Sequence, residues 1–426
     1  MKGNIVSRVE HLKEVIRVIR QYIKIADVER KRHGEIMTPI DELALPMVNT
    51  VPVEFWSNPN SKILDSSAGV GTFLIICATK LMNGLKSWEP DDNKRFKHIV
   101  ENMLYYGELQ ARNAFLWLCI IDPVDEYKTN TYCGSFLDGG FDKHMKEVWK
   151  IEKFDLIIQN PPYQKSVDAS SDKPIWHLFV DKSMDILKDH GYMVMVHPSG
   201  WRYIKTFQNI KERLLSKDLK FLKMHSFKDG QKMFDAAINF DYYFLKNSPN
   251  TGNTKVICED NESVDIDLSK LNIIPSENIS EIVSLIAKDG EEKVTLLSNS
   301  SYHTQRNFMS REKTNDNIYQ CIYTVKTSNL PTIRWSSLNS RGHFGLSKVI
   351  FARGASGVIS DKIGEYGLTE FAYGIVDDSI NIDGIKKALE SDHFIKKIML
   401  FKNSLGDRYN RKLIASFRKD FWRKFI

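Results

Sequence analysis

A chain of 426 residues is too long for one average domain, and its 42% hydrophobic and 11% aromatic content can fill several buried cores, which excludes global disorder. No uninterrupted apolar run approaches the roughly 20 residues that cross a bilayer; residues 1–20 interleave Lys, Arg and Glu with Val and Ile and lack the apolar core of a signal peptide, so a soluble, cytoplasmic protein is expected. The net charge of +6 is modest but concentrated, with ten Lys or Arg against three Asp in residues 391–426.

In residues 4–33, Val6, Val9, Leu12, Val15, Ile16, Ile19 and Ile23 recur at threes and fours, which predicts a helix, and residues 1–32 are expected to form an N-terminal helical segment. From Ser61 the pattern changes to short apolar runs alternating with helical stretches. A strand at 62–64 leads through a glycine turn into a helix at 72–81. A helix at 96–105, a short strand near 104–109 and a helix at 110–121 follow. The continuous apolar run 154–158 is a strand, 176–187 a helix and 192–196 another strand. This alternation predicts a doubly wound, Rossmann-like α/β sheet, largely parallel and covered on both faces.

The Asn-, Ser- and Gly-rich stretch 246–254 reads as a linker, so the expected domains are 33–248 and 249–426. The second has an α+β texture, with strands near 348–352 and 371–376 and helices near 385–401 and 411–425. The last of these mixes Phe417, Phe421, Trp422 and Phe425 with its basic residues. Such a tail suits either a polyanion-binding surface or a solvated amphipathic helix. Cys77, Cys119, Cys133, Cys258 and Cys321 stand singly; without a CxxC pair neither a zinc site nor a disulfide framework is indicated, and buried thiols are expected.

Two motifs carry chemistry. Asp65-Ser66-Ser67-Ala68-Gly69-Val70-Gly71-Thr72-Phe73 closes a strand and opens a helix. Glycines there let backbone approach a ligand, at the place where open α/β sheets bind nucleosides. Leu74 stands where a dinucleotide fingerprint wants a third glycine, and no P-loop lysine follows, so a nucleotide-like ligand without phosphates is expected, or else a plain structural turn. The second motif is Asn160-Pro161-Pro162-Tyr163, directly after the 154–158 strand. Its prolines remove two backbone donors and leave outward-facing carbonyls. The Asn160 side-chain oxygen and the Pro161 carbonyl can accept both hydrogens of an exocyclic amine, and Tyr163 offers a ring on which to stack a base.

These residues resemble the amino-methyltransferases, specifically the gamma-class N6-adenine DNA methyltransferases, over about residues 32–246. Gly34-Glu35-Ile36-Met37-Thr38-Pro39 is similar to the family's N-terminal element, with Met37 in place of an aromatic residue. The resemblance implies that Thr38 and Pro39 lie over the methionine part of S-adenosylmethionine. It also implies that Asp65, Ala68, Gly69, Gly71 and Phe73 form the cofactor loop, and that Asn160, Pro161, Pro162 and Tyr163 are catalytic. Ser66, Ser67 and Val70 depart from the usual loop. Glu108 in Tyr-Gly-Glu-Leu resembles the acid that binds the cofactor ribose, with Glu89 as a competitor. Ser135 and Phe136 resemble an adenine-contacting element in which Asp usually stands at 135, which leaves Phe136 a packing contact. Phe234 is either a base-stacking or a core aromatic residue.

The implied architecture is therefore a methyltransferase sheet with a helical N-terminal extension and a C-terminal target-recognition domain. The implied activity is methylation of a flipped adenine in double-stranded DNA with S-adenosylmethionine and no metal. RNA or protein-glutamine methylation, and a non-catalytic nucleic-acid-binding protein, remain as alternatives. The short stretch ahead of Gly34 has no room for a nuclease domain, so a cognate restriction endonuclease, if there is one, is expected on a separate chain. A monomer of bacterial, phage or viral origin is expected.

Overall fold

The computed structural model describes residues 8–22, 38–164, 173–354, 357–399 and 409–426. The chain divides into two compact units, Met1–Leu271 and Asn272–Ile426.

The first unit is built on a nine-stranded sheet in the order β3-β2-β1-β4-β5-β7-β6-β8-β9. Its strands are β1 (Ile63–Asp65), β2 (Leu104–Glu108), β3 (Asn130–Cys133), β4 (Phe154–Gln159), β5 (Leu187–Pro198), β6 (Lys217–His225), β7 (Phe240–Pro249), β8 (Thr254–Ile257) and β9 (Ser263–Ile266). The strands from β3 to β5 in this order run parallel, and β7 is antiparallel to both β5 and β6. Ile63, Leu64, Leu156, Ile157 and Ile158 are fully buried, as central strands covered on both faces require. From β1 the chain winds one way to β2 and β3, then returns to β4 and β5 on the other side. The reversal lies at the carboxyl ends of β1 and β4, the position at which open α/β sheets bind ligands.

Several expectations are refined. Helix α1 (Arg8–Tyr22) buries Leu12, Ile16 and Ile19 in the same core as α2 (Thr72–Gly84), so it belongs to the first unit and is not a separate segment. The stretch expected to be a linker at 246–254 is the end of β7, a turn at 250–253 and the start of β8. Gly252 takes φ +75° in that turn, and β8 pairs in parallel with β6. Polar turn residues mark a chain reversal equally well inside a sheet, so the boundary falls after Leu271 instead of at 248/249. Of the five thiols, Cys119 and Cys133 are exposed, not buried.

The second unit holds two four-stranded sheets, in the orders β10-β17-β14-β15 and β11-β13-β12-β16. Here β10 is Thr295–Leu297, β11 Met309–Ser310, β12 Tyr319–Val325, β13 Pro331–Ser336, β14 Lys348–Ala352, β15 Val358–Asp361, β16 Gly367–Leu368 and β17 Ala372–Val376. Helix α3 (Ile382–Glu390) supplies Ile382, Ile385 and Leu389 to a core shared with Phe351, Ile375 and Phe394. Phe417 and Phe421 complete that core at 0% exposure. The basic tail is thus neither a free polyanion surface nor a solvated helix. It has helical turns at Arg411–Ile414 and Phe421–Phe425, and between them Phe417 and Arg418 bridge to Ile286 and Lys293. Aromatic spacing compatible with a helix was satisfied by a core that needed three large rings. No helix among the described residues is long and apolar enough to cross a membrane.

Candidate active site

β1 ends at Asp65, and the chain turns through Gly69 (φ +53°) and Gly71 (φ +87°) into α2. The two glycines serve different ends. A Cβ on Gly69 would meet nothing within 4 Å, so the backbone there faces open space. A Cβ on Gly71 would come 2.2 Å from the Trp117 ring, so this glycine is required by packing against the helix Ala111–Ile121. Trp117 in turn stacks on Tyr106 with centroids 5.1 Å apart and planes 7° from parallel, and the Tyr106 hydroxyl donates to the Gly69 carbonyl at 2.5 Å. Neither aromatic was singled out from sequence. The signal was the alternation of β2, which puts Tyr106 on the same face as Glu108.

Glu108 lies at the end of β2, buried, with Oε2 accepting from the Gly69 N–H and Oε1 from the Gln110 N–H, both at 2.9 Å. Glu89 instead accepts from the Asp91 N–H beside the start of the following helix, away from the glycine turn. Asp65 is 1% exposed and accepts from the Ser67 N–H at 3.1 Å. Burial pushes its carboxyl well above the usual carboxylate range, and the nearby Glu108 pushes the same way against that hydrogen bond.

The Asn-Pro-Pro-Tyr loop leaves β4 beside this turn. The Ser67 hydroxyl donates to the Asn160 carbonyl at 3.1 Å, and the Ser66 hydroxyl donates to the side chain of Gln159, whose own amide donates to Ser183 at 2.7 Å. Ser66 and Ser67, departures from the family loop, are therefore the residues that tie the two motifs together. The Asn160 amide nitrogen donates to the Thr38 hydroxyl at 3.1 Å, which orients the amide so that its oxygen is an acceptor. Thr38 is buried, and the Pro39 carbonyl accepts from Leu43 and Ala44 at the start of the next turn. Gly34 to Met37 lie outside the described residues.

The aromatic residues of the site are largely covered. The Tyr163 ring is covered: it is 7% exposed, meets Phe234 edge-on at 6.3 Å, and its buried hydroxyl has no hydrogen-bond partner among the described residues. Phe234 joins the hydrophobic core at 4% exposure and also borders Tyr163. Phe73 and Phe136 are buried side chains, the latter packed on Phe141 at 4.8 Å and Phe179 at 5.3 Å. Ser135 accepts from the Leu137 N–H at 3.2 Å, closing its own turn.

The fit to S-adenosylmethionine rests on this geometry. A carboxylate caps β2, backbone at Gly69 faces open space, and no phosphate-binding lysine is present in the turn. A sheet of this order with such a turn after β1 is the arrangement expected of an S-adenosylmethionine-dependent methyltransferase.

Residues 77–234 match the Eco57I restriction-modification methylase family. An uncharacterized adenine-specific methylase of Mycoplasma pneumoniae is 25% identical over 364 residues, covering 66% of this chain and 85% of that protein. The type II restriction enzyme and methyltransferase RM.Eco57I of Escherichia coli is 21% identical over 277 residues, covering 49% of this chain but 27% of its own length. Among solved structures, a modification subunit of a putative type I restriction enzyme from Vibrio vulnificus YJ016 superposes with a TM-score of 0.39 at 17% identity, over 58% of this chain and 50% of that one. The family match and both relatives liken the first unit to N6-adenine methyltransferases.

Proposed function

We propose that the protein is a site-specific DNA methyltransferase that transfers the methyl group of S-adenosylmethionine to N6 of adenine in double-stranded DNA. The observation that carries this reading is the pair of hydrogen bonds at Asn160: Ser67 holds its carbonyl against the glycine turn, and Thr38 sets its amide.

S-adenosylmethionine, when bound, supplies a methyl group on a positively charged sulfur. Everything else falls to the chain. The open face at Gly69 would admit the nucleoside, and the Glu108 carboxylate, an acceptor at the end of β2, would take hydrogen bonds from ribose hydroxyls. A stacked adenine cannot reach the crevice, so it is flipped out of the duplex at a cost of about a few kcal/mol. The Asn160 side-chain oxygen and the Pro161 carbonyl accept the two amine hydrogens, which localises the nitrogen lone pair and aims it at the methyl carbon. Positioning and hydrogen bonding, with no covalent nucleophile, are the sources of rate. The bound cofactor would supply the methyl group, and the amine held by Asn160 and Pro161 would release one proton to solvent. Stacking of the base on Tyr163 requires that ring to leave its contact with Phe234.

Single-molecule sequencing of DNA from cells expressing the chain tests the proposal. The expected result is N6-methyladenine at one recurrent sequence. Methylated RNA or protein glutamine with unmodified DNA would overturn it. As a finer part of the same reading the enzyme acts as a monomer, with any cognate endonuclease on a separate chain; sedimentation with and without duplex measures the first.

A further inference from the structure

Segments 301–306 and 340–343 meet at one end of the β11-β13-β12 sheet. Met309 and Tyr319 both pair with Ser336, so the loops before β11, before β12 and after β13 gather there. The structure divides the residues of these loops into two groups.

The first group is buried and fixes the loops. Tyr302 is 0% exposed and its hydroxyl accepts from the Arg341 N–H at 3.0 Å. His343, also 0% exposed, accepts from the Leu368 N–H at 3.1 Å through Nδ1, so Nε2 donates to Asn299 at 2.7 Å. Glu370 accepts from both the backbone and the hydroxyl of Thr304, at 2.9 and 2.6 Å.

The second group is cationic and faces outward. Arg306, Arg311, Lys313 and Arg341 are exposed and Arg334 half-buried, and none has an ion-pair partner among the described residues. The acids of the same stretch, Glu312 and Asp316, do not neutralise them. Three of these cations lie over aromatic rings: Arg334 at 4.3 Å from the Tyr323 centroid, Lys313 at 5.3 Å from Trp335 and Arg341 at 5.3 Å from Phe308. A ring beneath a guanidinium holds its plane while its N–H donors, which lie in that plane, stay available to an anion. Trp335 and Arg334 are neighbours on one strand and point to opposite faces, so this is a ribbon with cations on both sides. The tail cations behave differently: Lys419 pairs with Glu292 at 3.1 Å and Lys424 with Glu281 at 3.9 Å.

Cations left unneutralised on a preordered frame match a polyanion whose charges repeat along two strands. We propose that this end of the sheet is the surface by which the second unit grips double-stranded DNA, with Arg306, Arg311, Lys313, Arg334 and Arg341 contacting backbone phosphates. The proposal rests on the reading of the protein as a DNA methyltransferase, and its test separates the two.

The full chain is titrated into a fluorescent duplex at several salt concentrations, with cofactor binding and thermal melting as controls on folding. Replacing Arg306 and Arg341 together by Ala weakens duplex binding by roughly tenfold to a hundredfold and flattens the salt dependence by about two contacts, whatever the duplex sequence. R306K/R341K keeps most of the slope. K419A/K424A, which removes paired cations, leaves affinity and slope near the parental values. Unchanged binding by R306A/R341A overturns the proposal, as does an equal loss in K419A/K424A, which would mean that net charge and not this surface binds. A parental chain that binds RNA but no duplex DNA also overturns it. A parental chain that binds duplex through these arginines yet methylates no adenine leaves the surface standing and overturns the activity instead.

Discussion

The crevice of the first unit and the cationic sheet end of the second solve the problem of holding polar groups in opposite ways. In the crevice, Gly69, Glu108 and Asn160 are fixed by short segments of backbone and by hydrogen bonds between them, at 2.9 Å for Glu108 to Gly69 and 3.1 Å for Ser67 to Asn160. At the sheet end, the working side chains make few hydrogen bonds of their own and are held by rings beneath them and by buried Tyr302 and His343 behind. Chemistry demands placement to a fraction of an ångström, which strained turns and hydrogen bonds supply. Phosphate binding tolerates looser placement, because charge acts over a longer range.

The sharpest way to break this comparison is Asn160→Ala. Turnover should fall by about a hundredfold to a thousandfold while cofactor and duplex affinity stay near parental values, measured by tritiated methyl transfer, calorimetry and anisotropy. A loss of duplex affinity equal to that of R306A/R341A would erase the division of labour between the two regions. Thr38→Val removes the acceptor that orients Asn160 and should lower kcat by roughly tenfold, with Thr38→Ser recovering most of it. If Thr38 acts on the cofactor alone, the methionine end of the site will weaken while kcat at saturation holds.

The glycine turn offers a contrast within the crevice itself. Gly71→Ala must displace the Trp117 ring and adopt φ +87°, so the melting temperature should drop, by about 1–3 kcal/mol of stability. Gly69→Ala meets open space but must still hold φ +53°, so it should lower the melting temperature less than Gly71→Ala while weakening cofactor binding. Unchanged cofactor affinity in Gly69→Ala would show that the open face at Gly69 has no binding role.

A smaller effect concerns acid stability. His197 is buried, stacked on Trp176 at 4.3 Å, and burial holds its pKa down to about 4. A histidine whose folded pKa is depressed stabilises the fold fully above its unfolded pKa of about 6.5 and loses that contribution as pH falls toward 4, up to roughly 3 kcal/mol. Melting curves between pH 7 and 4 should therefore be flatter for His197→Gln than for the parental chain. Asp65 works in the other direction. Its raised carboxyl costs stability as pH climbs above the ordinary carboxylate range, so Asp65→Asn should melt slightly higher at neutral pH while binding cofactor less well.

What could be read from the chain alone was local. The alternation of apolar runs and helical stretches marked β1, β2, β4 and α2 to within a few residues, since a strand covered on both faces must be apolar throughout. The glycine turn and Asn160-Pro161-Pro162-Tyr163 were legible for a similar reason: positive φ and missing backbone donors restrict which residue types are allowed. Tertiary structure decided everything that depends on a distant partner. Gly71 is required by Trp117, Asn160 is oriented by Thr38 from 122 positions away, and Tyr163 is covered by Phe234. The polar stretch at 246–254 became a turn inside the sheet once β8 found β6, and the aromatic residues of the tail became core. Periodicity specifies which side of an element is apolar, but what that side meets is set by long-range packing, and so is whether a surface cation keeps an acid beside it.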